Sequence, residues 1–329
     1  MTAQFPEQSC IGFQSLFNLD EVPAGSLAVT AVTLFGNIDT LPVPWARDQV
    51  SLEDFSDQVT RKRARLAKIL ACPICGHDAL DDRGTSLECQ RCGHRVDRVG
   101  NAWDFLPDAS RTNFRVTETS NISAWGYDDR AMSLVNRYSD GLILDCGSGL
   151  RPSYLENVIN YEVAAYPTTD ILGVGERLPF IDSCFDAVFS FAVLEHVTDP
   201  FRCAEQMARV LKPAGVLFGV VPFLQPFHGF PSHYYNMTSE GLRRLFDSSL
   251  DVVECAVPQQ GLPIFSLTWI LQSYLRGLPP EIRDEFKKMT VEQLAIDPWG
   301  VVDRPFVQQL SPSATRDLAA TNFIIAVKR

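Results

Sequence analysis

The second half of the chain alternates short apolar runs with amphipathic stretches. Residues 141–146 (GLILDC) form a continuous apolar run closed by Asp-Cys, the pattern of a strand buried on both faces of a parallel sheet. Residues 158–163, 169–173, 185–192 (FDAVFSFA) and 216–222 (VLFGVVP) predict four further strands, 249–257 a sixth, and 322–328 (NFIIAVK) a last. Residues 200–211 (PFRCAEQMARVL) have helical spacing with proline in the first turn, and 239–246 predict a second helix. Strand, crossover and parallel strand in series predict a doubly wound α/β sheet. Residues 264–278 (IFSLTWILQSYLRGL) predict an amphipathic helix, followed by a polar helical stretch.

The first half is less regular. Residues 26–35 are β-branched and apolar ahead of a turn at Gly36-Asn37, which predicts a strand or two in a β-rich extension over 1–60. Residues 59–70 (VTRKRARLAKIL) predict a basic helix, and 128–138 (DDRAMSLVNRY) a helix with an acidic first turn. Polar residues 109–140, anchored by Trp125 and Tyr127, lead into the α/β region. The resulting division is 1–60, a small module at 61–108, and an α/β domain at 109–329 with a loop at 222–238 and a helical insertion at 262–296.

Composition narrows the classes. The chain has 329 residues, 46% hydrophobic and 21% charged, ordinary values for a globular protein of about two domains. The net charge of −11 argues against a broad nucleic-acid surface or a polybasic membrane anchor. Residues 61–99 run the other way, with nine basic against five acidic side chains. They predict either a solvated helix face or a docking surface for a protein partner or a phosphate-bearing ligand. No membrane span and no signal peptide are expected. Nine cysteines, four of them in two CxxC pairs, fit a reducing, cytoplasmic setting with one metal site.

Those pairs are Cys72-Pro-Ile-Cys75 and Cys89-Gln-Arg-Cys92, each followed by Gly-His, with 13 residues between them. Two thiols at i and i+3 on a tight turn reach one tetrahedral Zn²⁺, and two such turns complete its shell. Four thiolates leave no open position, so the zinc is expected to be structural. The stretch through WDFLP resembles the zinc ribbon of methyltransferase-activating subunits, a resemblance that implies docking rather than catalysis.

A buried strand running into Gly147-Ser148-Gly149 places backbone N–H groups at the carboxyl edge of the sheet. Glu162, thirteen residues further on, stands near the end of the next strand, where an acid can accept from two ribose hydroxyls. Pro152 occupies the third position of a would-be GxGxxG, which argues for a ligand lacking a pyrophosphate. The motifs LDCGSG (144–149), GERLPFIDSCFDAVFSFAVLEHVTDP (175–200) and RVLKPAGVL (209–217) together resemble a class I S-adenosylmethionine (SAM)-dependent methyltransferase of the type 11 family.

The resemblance implies a Rossmann-like fold with SAM as cofactor. Asp145, Gly147, Ser148 and Gly149 would border its methionine end. Glu162 would bind the ribose, Val174, Gly175 and Glu176 would line the adenine, and Phe191 and Ala192 would close the other side. Glu195 and His196 of LEHV would lie at the mouth. Three departures stand out. Val174 replaces an acid that would accept from the adenine amino group. Arg151-Pro152 shortens the first crossover, so part of one sheet face must be covered by the ribbon or by residues 111–140. Ala214 replaces a glycine, expected to be neutral.

Residues 221–238 (VPFLQPFHGFPSHYYNMT) hold polar and aromatic residues on a proline-stiffened loop, which suits a ring-shaped or sugar-like acceptor. An oxygen acceptor must lose its proton, and histidine is the usual base. His228 and His233 are favoured over His196, with Tyr234, Tyr235 and Asn236 as acceptor contacts. The expected function is methyl transfer to a small-molecule or glycan-like acceptor at oxygen or nitrogen. The alternatives are an RNA methyltransferase using the ribbon to dock RNA, which the acidity disfavours, and a non-catalytic protein with a vestigial SAM fold.

Overall fold

The computed structural model describes residues 28–32, 38–42, 52–106, 108–114, 116, 126–229, 232–322 and 324–327. Trp125, Pro107 and the turn at Gly36-Asn37 lie outside them. The chain divides into two units, residues 1–193 with 202–219, and residues 194–201 with 220–329.

In the first unit β1 (Ala28–Val32) and β2 (Ile38–Pro42) pair antiparallel. Helix α1 (Leu52–Leu66) follows. Then come β3 (Leu80–Asp82), β4 (Ser86–Cys89), β5 (Arg95–Val99), β6 (Ala102–Asp104), α2 (Asp108–Asn113) and α3 (Asp129–Arg137). The α/β part comprises β7 (Ile143–Cys146), β8 (Val158–Glu162), β9 (Ile171–Leu172), β10 (Phe185–Phe191), α4 (Pro200–Val210) and β11 (Leu211–Val220). The nine strands β3–β11 form one sheet in the order β11-β10-β7-β8-β9-β6-β5-β4-β3.

From β10 to β6 the neighbouring strands are parallel, with Ala187 opposite Ile143, Ile143 opposite Val158 and Tyr161 opposite Ile171. β7 and β8 are buried throughout but for Glu162, as a sheet covered on both faces requires, and Asp145 and Asn160 are their buried polar residues. The order reverses at β7: β8 and β9 lie to one side, β10 and β11 to the other. A sheet of this kind opens a crevice at that reversal, beyond the carboxyl ends of β7 and β10.

The cysteine-bearing strands are not a separate sheet. β3, β4 and β5 pair antiparallel, and β6 joins them to β9 in parallel, Trp103 opposite Ile171. A second seam bonds Ala71 N to Pro179 O and Ile181 N to Ile69 O, so the LPF segment pairs with the residues just ahead of Cys72.

Residues 147–157 contain no helix, as Arg151-Pro152 suggested. Two other helices lie against this short crossover. From α3, Val135 O and the following Tyr138 O both accept from Asn157 Nδ2. From α1, Arg61 makes a two-pronged pair with Glu156, and Arg65 donates to Asp140 O and Gly141 O. Lys62 is fully buried, its ammonium 2.7 Å from Asp170 Oδ2 and 3.6 Å above the Tyr154 ring. Arg61, Lys62 and Arg65 of α1 thus each meet an acceptor within the chain, Lys62 buried and Arg61 at the surface.

Three expectations need correction. The helix at 200–211 stops at Val210, and β11 starts at Leu211, five residues early. Ala214 is not neutral, since it sits at φ 62, a left-handed conformation in which its Cβ crowds the backbone. In the second unit, residues 251–258 and 324–327 form no ladder, and Val253, Ile324, Ile325 and Val327 are exposed. Their β-branched composition supplies strand propensity, but a strand also needs a neighbour. The helical part of that unit follows the pattern read from the sequence. α5 (Ser239–Phe246), α6 (Pro263–Gly277), α7 (Pro280–Phe286) and α8 (Val291–Leu294) are followed by the short α9 (Pro305–Gln308) and α10 (Pro312–Asp317). No helix among the described residues is long and apolar enough to cross a membrane.

Candidate functional site

The loop after β7 is shaped by its glycines. Gly147 lies at φ 80 and Gly149 at φ 60, and a Cβ on Gly147 would stand 2.3 Å from Val193 Cγ2. The loop also bonds to the end of β8, where Tyr161 O accepts from Gly147 N and Ser148 N. Glu162 completes the join, its Oε2 accepting from Gly149 N at 2.8 Å and its Oε1 from Val163 N at 2.7 Å. Burial pushes the Glu162 carboxyl above its usual range in spite of these N–H donors.

Asp145, at the end of β7, is fully buried. Its Oδ2 accepts from Arg151 Nε at 2.7 Å and from the Tyr127 hydroxyl at 2.5 Å. The Arg151 guanidinium lies 4.3 Å from the Tyr127 ring centroid. Asp145 Oδ1 is buried without a partner. An orphaned carboxylate oxygen at the end of a parallel strand, beside exposed backbone N–H groups, fits a ligand carrying a cationic donor. The sequence reading noticed Arg151 only as an obstacle to a helix. Its signal was a lone cation six residues after a buried acid.

The other predicted cofactor residues line the same end of the sheet. Tyr161 Oη donates to Val174 O at 2.9 Å, fixing the backbone at the position where an acid is missing. Gly175 has Cys203 Sγ 3.0 Å from where its Cβ would be, and Glu176 is buried. Phe191 stacks on Phe189 and meets Phe218 edge-on, and Ala192 after it adopts φ 54.

The four predicted metal-ligating thiols come together in this unit. Sγ atoms of Cys72, Cys75, Cys89 and Cys92 all lie within 4.8 Å of one another. The two knuckles are built alike: Cys72 N donates to His77 O and Gly76 N to Cys72 O, and Cys89 N donates to His94 O and Gly93 N to Cys89 O. Gly76 and Gly93 both have φ near 70, which closes each turn.

The histidines belong to the second unit, and the structure gathers all three. Ring centroids lie 4.2 Å apart for His228 and His233, 5.4 Å for His196 and His228, and 5.6 Å for His196 and His233. His233 Nδ1 accepts from His228 N, and its Nε2 meets Tyr235 O and Asn236 Oδ1. Both its nitrogens are engaged, which leaves no lone pair for a proton. His196 and His228 each use Nδ1 on a backbone carbonyl, Ser232 O and Pro226 O, both at 2.8 Å. Burial lowers the proton affinity of all three rings, that of His228 to about 4. Of the predicted acceptor contacts, Asn236 Nδ2 ties the loop to Gln225 O and Tyr235 Oη donates to Thr198 O, while Tyr234 lies beside the Tyr235 ring. The resemblance placed Glu195 at the mouth of the site without giving it a role. It is fully buried with both carboxylate oxygens unpartnered.

Comparison with known proteins agrees with this geometry. Residues 145–219 match the family model described as a methyltransferase domain. The human mitochondrial arginine-hydroxylase NDUFAF5 is 32% identical over 108 residues, 28% of this chain and 31% of that protein. An uncharacterized methyltransferase of Mycolicibacterium gilvum is 41% identical over 64 residues, 18% of this chain and 25% of that one. The chain thus spans between a quarter and a third of the length of these curated relatives. A solved SAM-dependent methyltransferase of Thermotoga maritima aligns over 34% of this chain and 67% of its own at 20% identity, with a TM-score of 0.29. Strand order and glycine loop give a Rossmann-like fold of the class I methyltransferase kind, and within it residues 145–219 are similar to the methyltransferase domain family.

Proposed function

We propose that this chain is a SAM-dependent methyltransferase acting on a small-molecule or glycan-like acceptor at oxygen or nitrogen. The observation that carries the reading is the glycine loop at the β7/β10 reversal, with the orphaned Asp145 Oδ1 beside it. Asp145 would receive the ammonium of the cofactor's methionine part, and Gly147, Ser148 and Gly149 would leave the backbone open to it. Glu162 would turn its carboxylate to the ribose hydroxyls. Val174, Gly175 and Glu176 would flank the adenine, with backbone groups doing the base recognition that Val174 cannot. Phe191 and Ala192 would close the site. SAM supplies an electron-poor methyl group, and positioning the acceptor in line with it provides much of the rate.

Of the three candidate bases, His228 and His196 retain free Nε2 lone pairs, whereas His233 and Asn236 hold the 222–238 loop in shape. The four thiols fit a structural Zn²⁺, because a Cys₄ shell closes the coordination sphere.

Incubation with methyl-labelled SAM and a panel of polar small molecules, oligosaccharides and bulk RNA tests the reading. Label should move to a small molecule or glycan. Label on RNA alone would reverse the acceptor class, and SAM binding without transfer to anything would favour a non-catalytic role. The human relative named as an arginine hydroxylase favours a second reading, oxygen insertion. Mass spectrometry of the products separates a gained methyl from a gained oxygen.

A further inference from the structure

Residues 194–196 of the LEHV motif turn out of β10 into a cluster that methyl transfer by itself does not require. Tyr234 N and Tyr235 N donate to Glu195 O at 2.7 and 3.2 Å, which pins this turn to the 222–238 loop. Gly229, at φ 87, packs against the His196 ring so closely that a Cβ would stand 2.4 Å from Cε1. The glycine therefore allows the two segments to meet. The result places Glu195, His196 and His228 with one ligand atom each inside 4.8 Å of one another.

Both Glu195 oxygens are buried without a hydrogen-bond partner, at a large cost unless something cationic meets them. Protonation is a poor remedy, because the neutral acid would still bury an unpartnered hydroxyl. His196 Nε2 lies 3.8 Å from Glu195 Oε1, too far for a hydrogen bond but a fitting separation for two atoms on one ion. With Nδ1–H of His196 and of His228 donated to backbone carbonyls, both rings hold the tautomer that presents Nε2 as a ligand. Metal-binding histidines are oriented in this way by their other nitrogen.

We propose that Glu195, His196 and His228 form a second metal site that binds a divalent first-row transition ion. Two imidazoles and one carboxylate suit Zn²⁺, Fe²⁺, Co²⁺ or Ni²⁺ better than Mg²⁺ or Ca²⁺, which prefer all-oxygen shells. Three protein ligands leave positions open for an exogenous oxygen or nitrogen. Metal uptake at these three residues stands apart from the methyltransferase reading.

The test is a Co²⁺ titration of the full chain with Zn²⁺ already in its four-cysteine cluster, followed by visible absorption and by metal analysis. The wild type should take up one further Co²⁺ per chain, with d–d bands and no thiolate charge-transfer band. Glu195→Gln keeps the side-chain shape while removing the charge, and His196→Asn removes one nitrogen ligand. Each should weaken uptake by at least about tenfold with unchanged far-UV circular dichroism. If one variant misfolds, the other decides. No second equivalent at about 1 mM Co²⁺, or equal uptake by the wild type and a folded variant, would overturn the proposal. SAM binding measured on the same sample reports separately on the methyltransferase reading.

Discussion

Lys62 offers the sharpest test of how the basic helix is used. Its ammonium has no exposed surface, lies 2.7 Å from Asp170 Oδ2 and sits on the Tyr154 ring. Lys62→Met keeps the aliphatic stem and removes the charge, so packing is largely preserved. Asp170 would keep the Tyr154 hydroxyl and Asn160 N as donors, but its charge would be buried without a counterion. Breaking a buried pair from one side costs roughly 3–5 kcal/mol, and the two remaining donors place this case near the lower end, about 3 kcal/mol. With a urea slope of about 2 kcal/mol/M, the midpoint should fall by about 1.5 M at constant slope. Lys62→Met/Asp170→Asn should cost much less than the sum of the single changes, since neither leaves a stranded charge in the other's presence. A loss below about 0.5 kcal/mol in Lys62→Met, the level of a surface pair, would refute the structural role of α1.

Four further outcomes follow from the geometry. Ala214→Gly should raise stability by up to about 1 kcal/mol, read as a higher urea midpoint, because it relieves a left-handed alanine. Gly147→Ala should destabilise the chain, since its Cβ would collide with the branched Val193 side chain, and calorimetry should show SAM binding weakened along with it. Glu162 has a folded-state pKa raised by burial, so its contribution to stability is full below about 4.5 and is lost as pH rises through the raised value. The urea midpoint should therefore decline over that window, and Glu162→Gln should flatten the decline. On the proposal that the four thiols hold Zn²⁺, treating the zinc-loaded chain with a chelator should lower the melting temperature of the first unit, because β4, β5 and β6 carry the knuckles into the main sheet.

The α/β core was legible because its signals are local. Continuous apolar runs at 143–146 and 185–191 can only be buried strands, and Gly147 and Gly149 mark a turn that needs positive φ. The thiol cluster was equally plain, since spacing alone sets its geometry. What escaped depends on long-range pairing. Lys62 meets Asp170 across 108 positions, and nothing in RKRAR distinguishes the buried lysine from its exposed neighbours. The Asp145–Arg151 pair is local, six residues apart, but Arg151 was read only as a break in the crossover, and Tyr127 joins it from eighteen positions before Asp145. Residues 251–258 and 324–327 show the converse failure, strand composition without strand pairing. Glu195 was placed at the mouth of the site by resemblance, but only the structure reveals that it is buried with both oxygens unpartnered.

The central claim is that the loop after β7 holds SAM. Calorimetric titration of the zinc-loaded full chain with SAM tests it most directly. The account predicts saturable one-to-one binding that Asp145→Asn weakens, because the orphaned Oδ1 would no longer offer an anion to the ligand's ammonium. A folded chain that gives no binding heat at millimolar SAM, or an Asp145→Asn variant that binds as tightly as the wild type, would contradict it.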